Sequence, residues 1–149
     1  MDMKKVFVLG LLLVVAVSAV AAISATEEVA LDGIHFKLPN GYNPYESDTD
    51  AAELGDSEDI DGTIVDKVAT SEYINAAGDK LEFKVGEKNG GINSINPLNA
   101  QNKTIAGKNG FLIKELDDGK EKYKFKYLQD GKLVRITAVS VDIINQTIV

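Results

Sequence analysis

Residues 111–139 read FLIKELDDGKEKYKFKYLQDGKLVRITAV, and this stretch decides the fold class. Three segments, 111–116, 121–128 and 132–139, carry the apolar residues of this stretch, and Asp-Gly stands in both gaps between them; apolar and polar residues alternate along the middle segment. A period of two is typical of a β-strand with one buried face. Asp-Gly between two such segments is the strongest short signal for a hairpin. The stretch therefore predicts a three-stranded antiparallel meander.

The turns set the register of this meander. A two-residue turn at Asp130-Gly131 places three apolar pairs on one face. These pairs are Tyr127 with Val134, Phe125 with Ile136 and Tyr123 with Ala138. At the preceding turn we expect a three-residue loop, 117–119, which pairs Ile113 with Tyr123 and Phe111 with Phe125. A two-residue turn would instead place Lys114 against Tyr123.

Further elements are predicted on both sides of the meander. Residues 29–38 contain a strand, and residues 65–75 and 80–85 form a hairpin around Gly78-Asp79. Apolar residues at 143, 144 and 148 have helical spacing and predict a closing helix within 142–149. The fold class is α+β: an antiparallel sheet of about six strands, ending in the meander and covered on one face by the short C-terminal helix.

The first 25 residues, MDMKKVFVLGLLLVVAVSAVAAISA, have the layout of an export signal. Lys4 and Lys5 precede an uncharged run, 6–23, and small residues follow, with cleavage expected after Ala21 or Ala25. The alternative is a retained signal anchor that tethers the protein to the membrane, because the run is near the length that spans a bilayer. In both cases residues 26–149 are expected to form one secreted or extracytoplasmic domain.

Composition excludes several functions. The 149 residues include no Cys, which removes disulfides, thiolate metal sites and a lipid-modified Cys anchor. The formal charge of −7 does not favour nucleic-acid binding. A catalytic triad would have to use His35, the single histidine, which is expected on the outer face of its strand. The expected function is therefore non-enzymatic, with a small hydrolase that has an unrecognised site as an alternative.

An acidic loop, residues 46–61, contains eight acidic residues and no basic one. Its charge and low hydrophobicity favour exposure to solvent. Oxygen ligands suit Ca²⁺, and the candidate ligands are Asp56, Glu58, Asp59 and Asp61. The match to a calcium loop is partial, because with Gly62 at the sixth position the twelfth is Val68, where Glu is required. Calcium-dependent binding is an alternative function, and no other cofactor is expected.

Basic residues occupy the polar face of the meander. This basic stripe consists of Lys122, Lys124, Lys126 and Arg135. Three interpretations are open: a solvated sheet face, a contact for an anionic wall polymer or lipid head group, or a surface across which the acidic loop folds. The stripe carries no aromatic residues on its own face, so nucleic acid is not the expected partner.

Glycan chemistry has two weaker signals. Tyr42 and Tyr45 are candidate exposed aromatic residues for contact with a glycan. Asn102 and Asn145 each begin an Asn-x-Thr triplet, the acceptor sequence for N-glycosylation in an exported protein.

Several segments together resemble small exported proteins that occur in multiple copies in methanogenic archaea. They are GIHFKLPNGY, DKVATSEYIN with GDKLEFKVG, KTIAGKNGF and YKFKYLQDGKLVRITA, which span about residues 33–148. The shared motifs are strands and turns, so the resemblance implies export and the layout of sheet and helix. It implies no catalytic or binding residue. The expected role is to bind a cell-surface component, namely an envelope polymer, a lipid surface or a surface protein.

Overall fold

The structure, a computed structural model, describes residues 27–45 and 58–149. The predicted signal segment and most of the acidic loop lie outside these ranges. Within them the elements are β1 (Glu27–Leu31), β2 (Ile34–Leu38), β3 (Asn43–Pro44), β4 (Glu58–Ile60), β5 (Thr63–Val65), β6 (Lys67–Ile74), β7 (Lys80–Glu87), β8 (Gln101–Ile105), β9 (Lys108–Asp117), β10 (Lys120–Gln129), β11 (Lys132–Ala138) and α1 (Val141–Thr147).

Seven strands form one antiparallel sheet in the order β3-β6-β7-β11-β10-β9-β8. Strands β1 and β2 form a separate hairpin, as do β4 and β5. The predicted meander is β9, β10 and β11, and the predicted hairpin is β6 and β7. The pattern of residues 101–105 does not predict β8, because only Ile105 in this strand is apolar. Strand β3 is not predicted either, and the predicted strand at 29–38 lies outside the seven-stranded sheet, so the sheet contains five predicted strands and two that are not predicted.

The register between β10 and β11 is confirmed, with Tyr127 opposite Val134 and Phe125 opposite Ile136. The expected three-residue loop at 117–119 is wrong. Asp118 and Gly119 form a two-residue turn with φ of 54° and 79°, so that Lys114 lies opposite Tyr123. Positive φ at both positions gives the type I′ turn whose twist matches the strands.

The mismatch at Lys114 costs little because this end of the sheet is open to water. The Lys114 ammonium lies 2.9 Å from a carboxylate oxygen of Glu121 and 6.0 Å from the centre of the Tyr123 ring. The lysine therefore remains solvated while its stem covers the aromatic ring. Leu112, rather than Phe111, then lies opposite Phe125 and joins the core.

The main core lies on one face of the sheet, beneath β2 and α1. Phe36 of β2 stacks on Phe83 of β7, with ring centres 4.1 Å apart, and Ile144 of α1 is fully buried. Ser140 caps the helix because its hydroxyl oxygen accepts a hydrogen bond from the Ile143 amide at 3.1 Å. The predicted closing helix is confirmed, and it shares the face with β2. Residues 29–38 form two strands rather than one, because Asp32-Gly33 makes a turn.

A second, smaller core lies on the opposite face. The sheet is therefore covered on both faces, whereas coverage of one face was expected. Its buried residues are Ile60, Val65, Val68, Ile92 and Leu133. Leu133 precedes Val134 of the main core, and successive strand residues point to opposite faces. The β4–β5 hairpin packs directly on the backbone at Gly86, where an added Cβ would lie 2.8 Å from Cγ1 of Val65.

The helix α1 is too short to cross a membrane, and no other helix in the described part of the chain has the length and apolarity for it. Whether residues 1–25 anchor the protein stays a prediction.

Candidate functional site

A groove of about 440 Å³ lies between the turn of the β4–β5 hairpin and the loop formed by residues 88–100. We call it the hairpin–loop groove. Its lining residues fall in three places: 62–64 from the hairpin, Lys88 at the end of β7, and 91–96 from the loop. The groove therefore joins the second core to solvent.

The loop that forms one wall is fastened at two points. Ile92 is buried in the second core, and its amide donates a hydrogen bond to the Gly131 carbonyl at 2.8 Å. The Asn96 amide donates to the hydroxyl oxygen of Thr63 at 3.2 Å, and the Asn96 side chain donates to the Gly62 carbonyl at 3.4 Å. Because these contacts connect both walls, the groove is formed without a ligand.

The polar groups of the groove are available for binding. Asn93 and Ser94 are exposed, and within the described residues their side chains have no hydrogen-bond partner. The Lys88 ammonium likewise has no carboxylate within ion-pair distance in that part of the chain. The Thr63 hydroxyl accepts one hydrogen bond and can still donate another. The groove therefore offers neutral donors and acceptors together with one positive charge.

Two apolar side chains stand beside these polar groups. Ile64 is 58% exposed and Leu98 is 57% exposed. Leu98 has φ of 49°, a left-handed conformation that costs a residue with a Cβ roughly 1–2 kcal/mol. Its amide is held by the side-chain oxygen of Asn96 at 3.0 Å, and its Cδ1 lies 3.3 Å from where a Cβ on Gly62 would be. Strain of this kind concentrates at binding sites.

The candidate calcium ligands are in part engaged with the protein itself. An Asp59 carboxylate oxygen accepts the Gly62 amide at 2.6 Å, which closes the hairpin turn. An Asp61 oxygen accepts from the Arg135 guanidinium at 3.1 Å. Asp56 and the side chain of Glu58 lie outside the described residues. Across residues 27–45 and 58–149, no three His, Asp or Glu side chains are placed to hold a metal ion together.

The four residues of the basic stripe lie on one sheet face, as the alternation predicts, and each has an acidic neighbour. Lys122 is 3.1 Å from Asp117, Lys124 is 3.3 Å from Glu115, Lys126 is 3.9 Å from Asp61, and Arg135 contacts Asp61 at 3.1 Å and Glu82 at 2.8 Å. Lys126 is only 2% exposed. Lys126 and Arg135 are therefore held inside the fold rather than presented to a partner.

Asp61 neutralises the buried part of the stripe. Burial lowers the pKa of Lys126, and the Asp61 carboxylate opposes that shift. Burial also raises the pKa of Asp61, but the guanidinium of Arg135 and the neighbouring lysines outweigh it and hold that pKa below its usual value. The Lys126 ammonium also donates to the Asp61 carbonyl at 3.4 Å. Asp61, the last residue of the acidic loop, therefore lies against the stripe, whereas residues 46–57 of that loop lie outside the described residues.

A second charge cluster, the ionic clasp, fastens the β1–β2 turn to the end of the sheet. It contains Asp32, Lys67, Glu87 and Lys132. The Lys132 ammonium lies 2.6 Å from the Asp32 carbonyl and 3.3 Å from a Glu87 oxygen, and Lys67 lies 3.3 Å from the same oxygen. Burial and the nearby Glu87 raise the pKa of Asp32, while contact with Asp32 and the two lysines lowers the pKa of Glu87 to about 2.

The clasp brings two carboxylates together, as a hydrolase would need, but their contacts join the β1–β2 turn to the sheet. Oδ2 of Asp32 is inaccessible to solvent, and the pair binds two ammonium groups and each other. Carboxylates in glycosidases stand about 5 Å or more apart to admit the substrate. The hydrolase alternative gains no support from this cluster.

The remaining candidates have clear positions. His35 is exposed, as expected, with Nδ1 3.3 Å from a Glu28 oxygen. Tyr42 is 6% exposed, so its expected role as an exposed aromatic residue is wrong, because its ring packs in the main core. Tyr45 is half-buried beneath the Lys80 ammonium. Asn102 is exposed on β8 and Asn145 is exposed on α1.

Sequence reasoning did not identify the hairpin–loop groove. The available signals were Asp61-Gly62, which marks a hairpin turn, and the isolated Ile92 in a Gly- and Asn-rich segment, which marks an anchored loop. Neither signal indicates that the β4–β5 hairpin and the loop 88–100 contact each other.

Comparison of the chain with protein-family models, with curated proteins and with solved structures finds no match. The resemblance to exported archaeal proteins therefore stays a prediction, as does export itself.

Proposed function

We propose that the protein is a non-enzymatic extracytoplasmic domain, secreted or tethered by its N-terminal segment, that binds an acidic glycan of the cell envelope in the hairpin–loop groove. The supporting observation is the combination of a preformed groove, neutral side chains without a hydrogen-bond partner in the described residues, and Lys88, which forms no ion pair with a described carboxylate. The groove volume falls within the range of about 300–1,000 Å³ typical of ligand sites.

The neutral groups favour a polyhydroxylated ligand. The amide of Asn93 and the hydroxyls of Ser94 and Thr63 can each donate and accept hydrogen bonds, which matches the dual character of sugar hydroxyls. The exposed side chain of Ile64, which lines the groove, supplies apolar surface for the carbon–hydrogen face of a sugar ring.

Lys88 favours an acidic sugar over a neutral one. Its ammonium is a hydrogen-bond donor with full charge, and contacts of this type with carboxylates are about twice as strong as neutral hydrogen bonds. The whole chain is negatively charged, so long-range attraction does not contribute to binding. The interaction is therefore short-ranged and confined to the groove.

An envelope polymer fits the geometry better than the other two expected partners. A concave groove accommodates a single narrow chain, whereas a lipid surface or a folded protein needs a broad contact area. The basic stripe offers no such area, because its central residues Lys126 and Arg135 are buried and paired.

Affinity electrophoresis tests the proposal. The protein is run through native gels that contain polygalacturonate, with neutral galactan as the comparison polymer. We expect retardation by polygalacturonate, and a severalfold weaker effect in the variants Lys88→Gln and Asn93→Ala. Lys103→Gln, an exposed lysine of β8 outside the groove, is the matched control and should behave as the parent. Equal weakening by Lys88→Gln and Lys103→Gln, or equal retardation by both polymers, would contradict the assignment.

A further inference from the structure

The two Asn-x-Thr triplets have opposite structural settings. Asn102, Lys103 and Thr104 lie in β8, the outermost strand of the main sheet. All three side chains are exposed, and the Thr104 hydroxyl donates to the exposed side-chain oxygen of Asn109 on β9, a surface contact that can be released without unfolding the core. Among the described strands β8 pairs only with β9, so within that part of the chain the backbone of the triplet is open along its other edge. An extended, exposed segment of this kind can enter the active site of another protein with little unfolding.

The triplet at Asn145, by contrast, has a buried threonine. Asn145 is exposed on α1, but Thr147 is 0% exposed, and its hydroxyl donates to the Ile144 carbonyl at 2.7 Å. Ile144 and Ile148, on either side of Thr147, are buried in the main core. A transferase could reach the Thr147 hydroxyl only if α1 unwound and drew these residues out of the core.

We infer that Asn102 is an N-glycosylation site of the exported protein and that Asn145 is not. The inference requires export, but it does not depend on the ligand of the hairpin–loop groove. The donor is a lipid-linked oligosaccharide. The Asn102 amide nitrogen bonds to the anomeric carbon of the sugar, and the bond from that carbon to the lipid phosphate breaks with its electron pair on the phosphate oxygen. The amide proton passes to a base of the transferase.

Modification at Asn102 also has a physical consequence for the sheet. An open edge strand is a template for pairing with another chain. Strand β8 carries one charged residue, Lys103, as protection. A glycan beside it would cover the edge and prevent a second strand from approaching.

The experiment is intact-mass analysis with peptide mapping of the full chain exported from an N-glycosylating host. Asn102→Gln should remove the glycan, Thr104→Ala should remove it, and Thr104→Ser should retain it because the hydroxyl is kept. Asn145→Gln should leave the glycan mass unchanged.

A control variant establishes that the host can glycosylate this protein. Gln101→Thr, combined with Asn102→Gln, places a hydroxyl residue two positions after the exposed Asn99, and the host used is one that glycosylates this variant. Absence of glycan from the parent in that host would overturn the inference. Loss of glycan on Asn145→Gln would overturn it as well.

Discussion

Replacing Asp61 by Asn removes one charge at the contact between the β4–β5 hairpin and the sheet and leaves the turn intact. Asp61 has φ of 49° and is followed by Gly62, and Asn tolerates this conformation as well as Asp does. Asn is also nearly the same size. A change in stability therefore reports the loss of charge rather than a rearranged backbone.

The magnitude follows from the contacts of Asp61. Its side chain is 24% exposed, accepts from Arg135 at 3.1 Å and lies 3.9 Å from the Lys126 ammonium. A hydrogen bond between charged groups contributes about 1.5–3 kcal/mol, and partial exposure together with the remaining Glu82 contact of Arg135 favours the lower half of that range. We expect a loss of about 2 kcal/mol in the free energy of unfolding, or roughly 8 °C in Tm.

The loss should depend on pH in a defined direction. The pKa of Asp61 in the folded protein lies below its ordinary value of 3.8, because Arg135 and the neighbouring lysines outweigh the effect of burial. A carboxylate with a depressed pKa stabilises the fold above its unfolded pKa, and this contribution is lost as the pH falls through the folded pKa. The difference between parent and variant should be complete above about pH 5 and should shrink as the pH falls below the ordinary pKa of 3.8.

The assay is urea unfolding followed by circular dichroism at pH 7 and at pH 3. Asp118→Asn is the matched control, because Asp118 occupies the same position in an exposed two-residue turn with φ of 54°. We expect this control to change stability by less than about 0.5 kcal/mol. Equal losses in the two variants, or a loss at Asp61 that does not change with pH, would refute the role assigned to its charge.

Four further predictions concern other contacts. Gly86→Ala should cost about 1–3 kcal/mol because its Cβ would meet Val65, and Val65→Ala in the same chain should restore part of the loss; an unchanged Tm would show that the hairpin does not rest on this backbone. In the ionic clasp, Glu87→Gln should lower the free energy of unfolding at pH 7 by about 1–2 kcal/mol. The pKa of Glu87 is about 2 in the folded protein and 4.5 ordinarily, so the charged carboxylate stabilises the fold above pH 4.5. Asp32→Asn should leave the free energy of unfolding unchanged or higher, because the raised pKa of Asp32 means that the fold disfavours its charged form. A large loss would contradict the arrangement assigned to the clasp. Millimolar Ca²⁺ should not raise Tm, because Asp59 and Asp61 already bind Gly62 and Arg135; a rise of several degrees would restore the calcium alternative.

Turn chemistry accounts for most of the fold that could be predicted, and for two errors, the loop at 117–119 and the single strand at 29–38. Four Asp-Gly pairs occur in the chain, at 32–33, 61–62, 118–119 and 130–131, and each adopts positive φ at both residues in a two-residue turn. The pairing of aromatic side chains favoured a longer loop at 117–119. The turn prevailed because Lys114, at the exposed end of the sheet, loses little by lying opposite Tyr123.

The second core and the groove could not be predicted because they depend on contacts between distant segments. Alternation correctly places Lys126 on the polar face, but its burial depends on where the β4–β5 hairpin comes to rest. The groove likewise requires Ile92 to enter the core beneath that hairpin. Local periodicity carries no signal for either event.

The most direct test of the groove as the binding site is an NMR titration of the isotope-labelled protein with oligogalacturonate. The amide signals of Gly62, Ile64, Asn93 and Ser94 should shift together and saturate. Signals of Lys122 and Lys124 should stay in place. Shifts centred on those two lysines, or no saturable shift at millimolar ligand, would contradict the assignment of binding to the hairpin–loop groove.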